Sequence, residues 1–401
     1  MNVSEMDGGI TAAEGFTAAG VAAGIKASGA LDLTLIVADQ PASVAAVFTT
    51  NQVQAAPVQV SREHVAASQG WARAVIVNSG CANACTGAQG LATTRATVAA
   101  VADLVGCPVE QVLVSSTGVI GVHLPVDLVV NGATAAFATL SRNGHSAARG
   151  IMTTDTGPKE FAVRVDTAAG AFRVGGIAKG AGMIEPMMAT MLAFVTTDAA
   201  VAPALLDRAL REVTDRTFNA ITVDGECSTN DTFVALASGR SGVAIDERNY
   251  GALVDGLEAV ARALALAIVR GGEGATKLVA VHVTGADSAA DAMRAAKTIA
   301  NSPLVKTAIH GADPNWGRLV SAAGRSGARF VLEHARVQVG PNVLFEDGQP
   351  FDDQAPAAAE YLRHAELEVH VDLGTGGAGH AVVWTCDLSA EYVRINGEYR
   401  T

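Results

Sequence analysis

Several ordinary ingredients are scarce in this 401-residue chain, and each scarcity excludes something. Aromatic residues make up 4% and charged residues 17%, against 49% hydrophobic, so a core has to be assembled from Ala, Val, Leu and Ile. Basic residues are the minority: 28 Lys and Arg face 40 Asp and Glu, a formal net charge of −12. That excess argues against nucleic acid or an anionic membrane as partner, since both demand a basic face. No apolar run approaches the roughly 20 residues of a spanning helix. The opening Met1-Asn-Val-Ser-Glu-Met-Asp7 is acidic where a secretory signal would be basic, so a cytoplasmic protein is the expectation. Cysteine is sparse too: Cys81, Cys85, Cys107, Cys227 and Cys386 are odd in number and unpaired in spacing, as reduced thiols are. Cys81 and Cys85 lack a neighbouring histidine pair, and the nine histidines show no i, i+4 pattern. No metal site is expected, and surface or structural roles are read for each histidine.

Glycine is plentiful, with 42 residues, and one glycine-rich stretch organises the rest: Lys179-Gly-Ala-Gly-Met-Ile-Glu-Pro-Met-Met-Ala-Thr-Met-Leu-Ala-Phe194. It contains Ala189-Thr190, read here as a bond that the protein cuts in itself. Such a cut needs a hydroxyl directly after a carbonyl, in a strained turn with donors aimed at the developing oxyanion. Thr190 supplies the hydroxyl, Gly180 and Gly182 permit positive φ, and Pro186 fixes φ. The cut frees the Thr190 α-amine, whose pKa of ~7.7 lets it take the proton of the adjacent hydroxyl. The bland alternative is a glycine turn followed by a buried strand from Met187 to Val195.

Along the chain, Leu31 to Ala38, Ser43 to Phe48 and Trp71 to Val77 have β-rich composition. Gln89 to Val105 reads as a helix ended by Gly106. Val112 to Ser116 reads as a strand delivering Thr117-Gly118 into a tight turn, where a hydroxyl and a backbone N–H could share an oxyanion. Val126 to Ser141 and Asn143 to Ile151 look helical, and Phe161 to Val165 with Ala171 to Val174 make a hairpin about Ala169-Gly170. Pro203 to Thr214 and Tyr250 to Arg270 are helical by spacing, the latter with Leu253, Leu257, Val260, Leu264 and Ile268 on one face. Lys277 to Val283, Arg336 to Val339, Leu367 to Val371 and His380 to Thr385 read as strands, and Ser288 to Ala300 as a helix. Strands and helices mix without strict alternation, which favours an α+β layered fold over a doubly wound sheet. Two glycine motifs are decoys. Gly374-Thr-Gly-Gly-Ala-Gly379 lies between strands and reads as a hairpin turn, and Gly272-Glu-Gly-Ala-Thr-Lys277 lacks the ending of a phosphate loop.

Lys179-Gly-Ala-Gly-Met-Ile184 and Met188-Ala-Thr-Met-Leu192 resemble the cleavage segment of the ornithine acetyltransferase family, the glutamate N-acetyltransferases of cyclic arginine biosynthesis. Asn78-Ser-Gly-Cys-Ala-Asn-Ala-Cys-Thr-Gly87, Ser116-Thr-Gly-Val-Ile-Gly121 and Ile151-Met-Thr-Thr-Asp-Thr156 resemble it too. So do Asp224-Gly-Glu-Cys-Ser-Thr-Asn-Asp-Thr232, Asp313-Pro-Asn-Trp-Gly-Arg318 and Tyr392-Val-Arg-Ile-Asn-Gly-Glu-Tyr399, all in order along the whole chain. The resemblance implies a four-layer αββα sandwich like that of the self-processing aminopeptidases, with a smaller C-terminal α/β portion from about residue 280. It implies cleavage into an α chain, 1–189, and a β chain, 190–401, assembled as an α2β2 heterotetramer. The implied activity is acetyl transfer from N2-acetylornithine to glutamate through an acetyl-Thr190 intermediate, with amino-acid N-acetyltransferase as a second activity and no metal or organic cofactor.

By the same resemblance Thr190 is nucleophile and acetyl carrier, and Thr117 and Gly118 stabilise the oxyanion. Substrate contacts fall on Thr153, Lys179, Thr190, Glu273, Asn396 and Thr401. Chemically, Lys179 suits an α-carboxylate and Glu273 suits the ornithine δ-ammonium. Cys81, Met187 and Glu185 depart from the family's usual choices. Three rivals stay open: a self-processing aminopeptidase or amidase in which water is the acceptor, an acyltransferase recruited to specialised metabolism, and a binding protein of this fold with a dead site.

Overall fold

A computed structural model describes residues 2–185 and 191–398. The chain divides into two compact units: one comprises the chain up to Asn219 together with Glu226–Ile268, the other Ala220–Gly225 and the chain from Val269 onward.

The first unit is built about one 16-residue strand, Leu33–Phe48. Its first half pairs antiparallel with Phe16–Val21 on one side and Trp71–Cys81 on the other, and Trp71–Cys81 pairs parallel with Val112–Val119. Its second half pairs with Thr232–Ala237, from which the sheet continues through Leu192–Thr197, Gly170–Lys179 and Lys159–Thr167 to the edge strand Asn2–Met6. Sequence reading expects two strands interrupted at Pro41; instead one strand runs through it. The register shifts between Val37 and Ala42, and Asp39, Gln40 and Pro41 are exposed there, so the proline costs no ladder bond at an irregularity.

That shared strand lets the two halves of the sheet face each other. Ile36, Val75, Val77 and Leu113 from one half and Ile177, Phe194, Val234 and Leu236 from the other form a single buried cluster. The alternate residues Leu35, Val37, Ile76, Val112 and Val114 point the opposite way, onto Val60, Val98, Val101 and Val129 of helices Ala56–Ala67, Gly87–Val105 and Val126–Ala138. Period-2 side-chain alternation explains why these strands read as continuous apolar runs: both faces are covered. On the outer face of the other half, Gly176 abuts Val260 and Gly256 abuts Val165, Val174 and Phe172, which seats helix Tyr250–Arg270. Its expected stripe of Leu253, Leu257, Val260, Leu264 and Ile268 is at most 1% exposed. Helix Pro203–Arg216 packs against Leu33–Phe48. The layers are therefore α, β, β, α, as the resemblance implies.

The second unit has a six-stranded sheet in the order Gln349–Pro350, Asn342–Glu346, Arg336–Val339, Glu366–Asp372, Leu278–Ala286, Gly379–Cys386. One face is covered by helices Ala289–Ala300, Pro303–His310, Trp316–Gly324 and Ala355–Tyr361 around Val281, Val283, Val369 and Val371. The Gly374–Gly379 motif is not a hairpin turn. Its flanking strands do not pair with each other; both pair with Leu278–Ala286, one on each side, and the loop steps over the end of that strand. A Cβ at Gly377 would lie 2.1 Å from the Ala286 carbonyl and one at Gly379 2.3 Å from that of Ser288, so the crossing itself requires glycine. In Gly272–Lys277 the Thr276 and Lys277 amides donate to Asp387, which leaves those amides no part in a phosphate cradle.

Candidate active site

Thr117 and Gly118 lie inside the strand Val112–Val119, not in the turn expected after it. The reason is the neighbouring strand: Trp71–Cys81 runs four residues further than its apolar run, and carries the ladder to Gly80 and Cys81. Gly118 has φ +128°, and a Cβ there would sit 2.3 Å from the Gly80 carbonyl carbon. The register also shifts at Gly80 and Cys81, so the two backbones close in at an irregularity that only glycine permits. The motif Asn78–Gly87 then folds back on this strand end. The Ser116 hydroxyl donates to Asn78 Oδ1 at 2.5 Å, the Ala82 amide donates to Val119, and Asn230 Nδ2 donates to the carbonyls of Ala82 and Ser116.

Lys179 ends the strand Gly170–Lys179 and is buried, its Nζ donating to Thr117 Oγ1 at 3.1 Å. An ammonium occupying an acceptor site of that hydroxyl leaves its O–H proton free to point elsewhere and polarises it as a donor. Beside it, Asp155 accepts from Lys159 Nζ at 2.5 Å, the Gly180 amide at 2.7 Å and the Thr153 amide at 3.0 Å. Burial works to raise the Asp155 pKa, but Lys159, Lys179 and the Gly180 amide outweigh it and hold the carboxylate below its usual range. Asp155, which sequence reading did not single out, thus ties Thr153 to the start of the glycine-rich segment. Lys26 completes the group: its Nζ donates to the carbonyls of Leu31 and Met152, and burial lowers its pKa against the pull of Asp32 and Asp155. In the segment itself Ala181 and Ile184 are buried, and Met183 takes φ +57°, a left-handed conformation uncommon for any residue but glycine.

A second missed carboxyl is Asp231. It is buried, and its Oδ2 has no hydrogen-bond partner among the described residues. The next residue, Thr232, donates its amide to the Met191 carbonyl at 3.0 Å and opens the strand paired in parallel with Leu192–Thr197. Asp231 therefore sits beside the chain that leaves the glycine-rich segment. Burial pushes its pKa well up, the nearby Cys227 adds to the rise, and Lys179 opposes it. No spacing pattern announces either aspartate: what sets Asp155 apart is the Gly180 amide, 25 residues away, joining its local partners Lys159 and Thr153, and Asp231 is placed by the strand it precedes.

Among the remaining expected residues, Glu273 is buried in the second unit and accepts from Asn396 Nδ2 at 2.8 Å, so these two are brought together there. The approach is tight: a Cβ at Gly274 would meet the Tyr392 amide nitrogen at 2.5 Å. Cys81 is buried with its Sγ directed to the Val122 carbonyl at 3.3 Å, and the Glu185 amide donates to Glu226. Ala189, Thr190, Met187 and Thr401 lie outside the described residues.

Comparison with known proteins gives a consistent result. The family model described as "ArgJ family" matches residues 17–401. The arginine biosynthesis bifunctional protein ArgJ of Parasynechococcus marenigrum is 46% identical over 397 residues, covering 99% of this chain and 96% of that protein. The protein of the same name from Chlorobaculum tepidum is 48% identical over 390 residues, 97% of this chain and 96% of its own. The crystal structure of arginine biosynthesis bifunctional protein ArgJ from Bacillus halodurans aligns with a TM-score of 0.50 at 41% identity, covering 51% of this chain and 98% of that one.

Proposed function

The chain belongs to the ArgJ family, and we propose that it is a self-processing acetyltransferase of arginine biosynthesis that moves an acetyl group from N2-acetylornithine to glutamate. The observation that carries the site reading is the buried Lys179 ammonium on the Thr117 hydroxyl beside the φ +128° backbone of Gly118, a donor set fit for a developing oxyanion. In the first reaction the Thr190 hydroxyl oxygen attacks the Ala189 carbonyl carbon, the peptide C–N bond breaks, and the hydroxyl proton goes to the departing amine. Water then hydrolyses the ester, leaving a carboxylate on Ala189 and a free α-amine on Thr190. The size of the B. halodurans chain supports this: it is matched almost in full by about half of the present chain.

In the second reaction the freed amine takes the Thr190 hydroxyl proton as the oxygen attacks the acetyl carbonyl of N2-acetylornithine. The C–N bond to ornithine breaks and its α-amine leaves with that proton. The α-amine of glutamate then attacks the acetyl ester and regenerates the hydroxyl. By chemistry Lys179 suits a substrate α-carboxylate and Glu273, which accepts from Asn396, suits a δ-ammonium; Thr153, whose amide donates to Asp155, and Thr401 are the other expected contacts. The two pieces assemble as α2β2 in the cytoplasm, and acetylation of glutamate by a second donor accounts for the amino-acid N-acetyltransferase activity.

The denatured mass of the purified protein tests the reading. Two species are expected, residues 1–189 and residues 190–401, the second of 401 − 189 = 212 residues with amino-terminal Thr190. Active protein that remains one chain beginning at Met1 would overturn self-processing. Release of acetate without acetylglutamate would instead identify a hydrolase.

A further inference from the structure

On the second unit's sheet, His282 and His370 are direct partners in the parallel ladder between Leu278–Ala286 and Glu366–Asp372. Glu368, two residues before His370, shares its face of the strand. The two imidazoles stack with centroids 4.3 Å apart and planes 11° from parallel, and His370 Nε2 lies 3.4 Å from Glu368 Oε2. One donor atom from each of the three residues falls within 4.8 Å of the others. Among the described residues His282 Nε2 is buried without a hydrogen-bond partner, an orphan that a buried nitrogen avoids unless something else satisfies it. The opposite faces of both strands are locked in the core by Val281, Val283, Val369 and Val371, so the backbone presenting these donors is fixed.

We propose that His282, Glu368 and His370 form a binding site for a divalent transition cation of the zinc class. Two neutral imidazoles and one carboxylate are the donor set that suits Zn2+, Co2+ or Ni2+, whereas Mg2+ and Ca2+ prefer all-oxygen sites. The His370 and Glu368 side chains are 40% and 61% exposed, so an ion has access, and they can rotate to contract the triangle to bonding distance. With three protein ligands the fourth position falls to water. The bound ion would clip the parallel pair, raising the thermal midpoint because it binds the folded chain and not the unfolded one.

Titration of the EDTA-stripped full chain with Zn2+ at about pH 7.5, in reductant, is expected to give one equivalent of micromolar or tighter binding and a rise in Tm. A lost second-shell partner already costs ~10- to 100-fold, so His282→Asn or His370→Asn should cost ~100-fold or more, and Glu368→Gln less. His380→Asn, in the adjacent strand, should bind as wild type does. Co2+ binding to the unmutated chain provides a readout independent of the variants' folding: nitrogen and oxygen ligation gives weak visible bands without an intense thiolate charge-transfer band. Absence of uptake, uptake unchanged in the His282→Asn/His370→Asn double variant, or a thiolate band would each overturn the site.

Discussion

Asp155 and Asp231 both feel the Lys179 ammonium, yet their surroundings drive them apart. Asp155 is ringed by donors and stays ionised; its folded pKa is depressed, so its stabilisation is present above the unfolded value near ~3.9 and lost as pH falls through the folded one. Asp231 is the reverse. Its folded pKa is raised, so its contribution is complete below ~3.9 and lost as pH rises through the folded value. Asp231→Asn has no proton to lose, and its Tm relative to wild type should climb as pH is raised from about 4; a difference independent of pH would mean the carboxyl is ionised in the fold. For Thr117→Ala, loss of one oxyanion donor should slow both self-cleavage and acetyl transfer by ~100-fold or more. Normal transfer by the cleaved fraction would refute a hole shared by the two reactions. Glu273 pairs with a neutral amide from Asn396, and among the described residues no cation forms an ion pair with it. In the proposed function its charge pairs with a substrate ammonium. A charge-assisted bond of ~1.5–3 kcal/mol predicts a roughly 10- to 150-fold fall in kcat/KM for acetylornithine with Glu273→Gln, and little change for acetylnorvaline. An equal loss for both donors would assign Glu273 to the fold instead.

Among the elements, the pairing of Trp71–Cys81 with Val112–Val119 does the most to shape the site, because its last residues carry Gly80, Thr117 and Gly118. Gly118→Ala puts a methyl 2.3 Å from the Gly80 carbonyl carbon in a conformation that L residues rarely adopt. Backbone strain of ~1–3 kcal/mol and overpacking of similar size should lower Tm and abolish cleavage together, measured by thermal melt and denaturing gel. Helix Tyr250–Arg270 offers a contrast: Leu257 is fully buried on its apolar stripe and is none of the expected site residues. Leu257→Ala should cost ~2–5 kcal/mol in denaturant unfolding while the cleaved fraction keeps its kcat.

For the whole molecule, the proposed cut falls between strands of one sheet. Gly170–Lys179 comes from the piece before it, Leu192–Thr197 and Thr232–Ala237 from the piece after it, and Thr232–Ala237 pairs in turn with Leu33–Phe48. The two pieces share ladders and the cluster of Ile36, Val77, Phe194 and Val234, so separating them means unfolding the first unit. They should therefore co-elute through native size exclusion and part only in denaturant. Dissociation of folded pieces under native conditions would contradict this interleaving.

Elements whose cause is local were legible in the sequence. The spacing of Leu253 to Ile268 gave a helix with the bounds Tyr250–Arg270, Gly106 ends its helix at φ +69°, and Gly170 turns its hairpin. The ordered motifs were likewise legible, because they are runs of adjacent residues. Features that depend on partners far along the chain were set by the fold. It carried one strand through Pro41, put Thr117 and Gly118 inside a strand, and made the Gly374–Gly379 loop a crossover. It also brought the Gly180 amide onto Asp155, buried Asp231 beside Met191, and stacked His282 on His370. The physical reason is the same in each case: periodicity and turn chemistry report a residue's neighbours in sequence, whereas charge state, close backbone approach and ligand geometry are set by which strands pair.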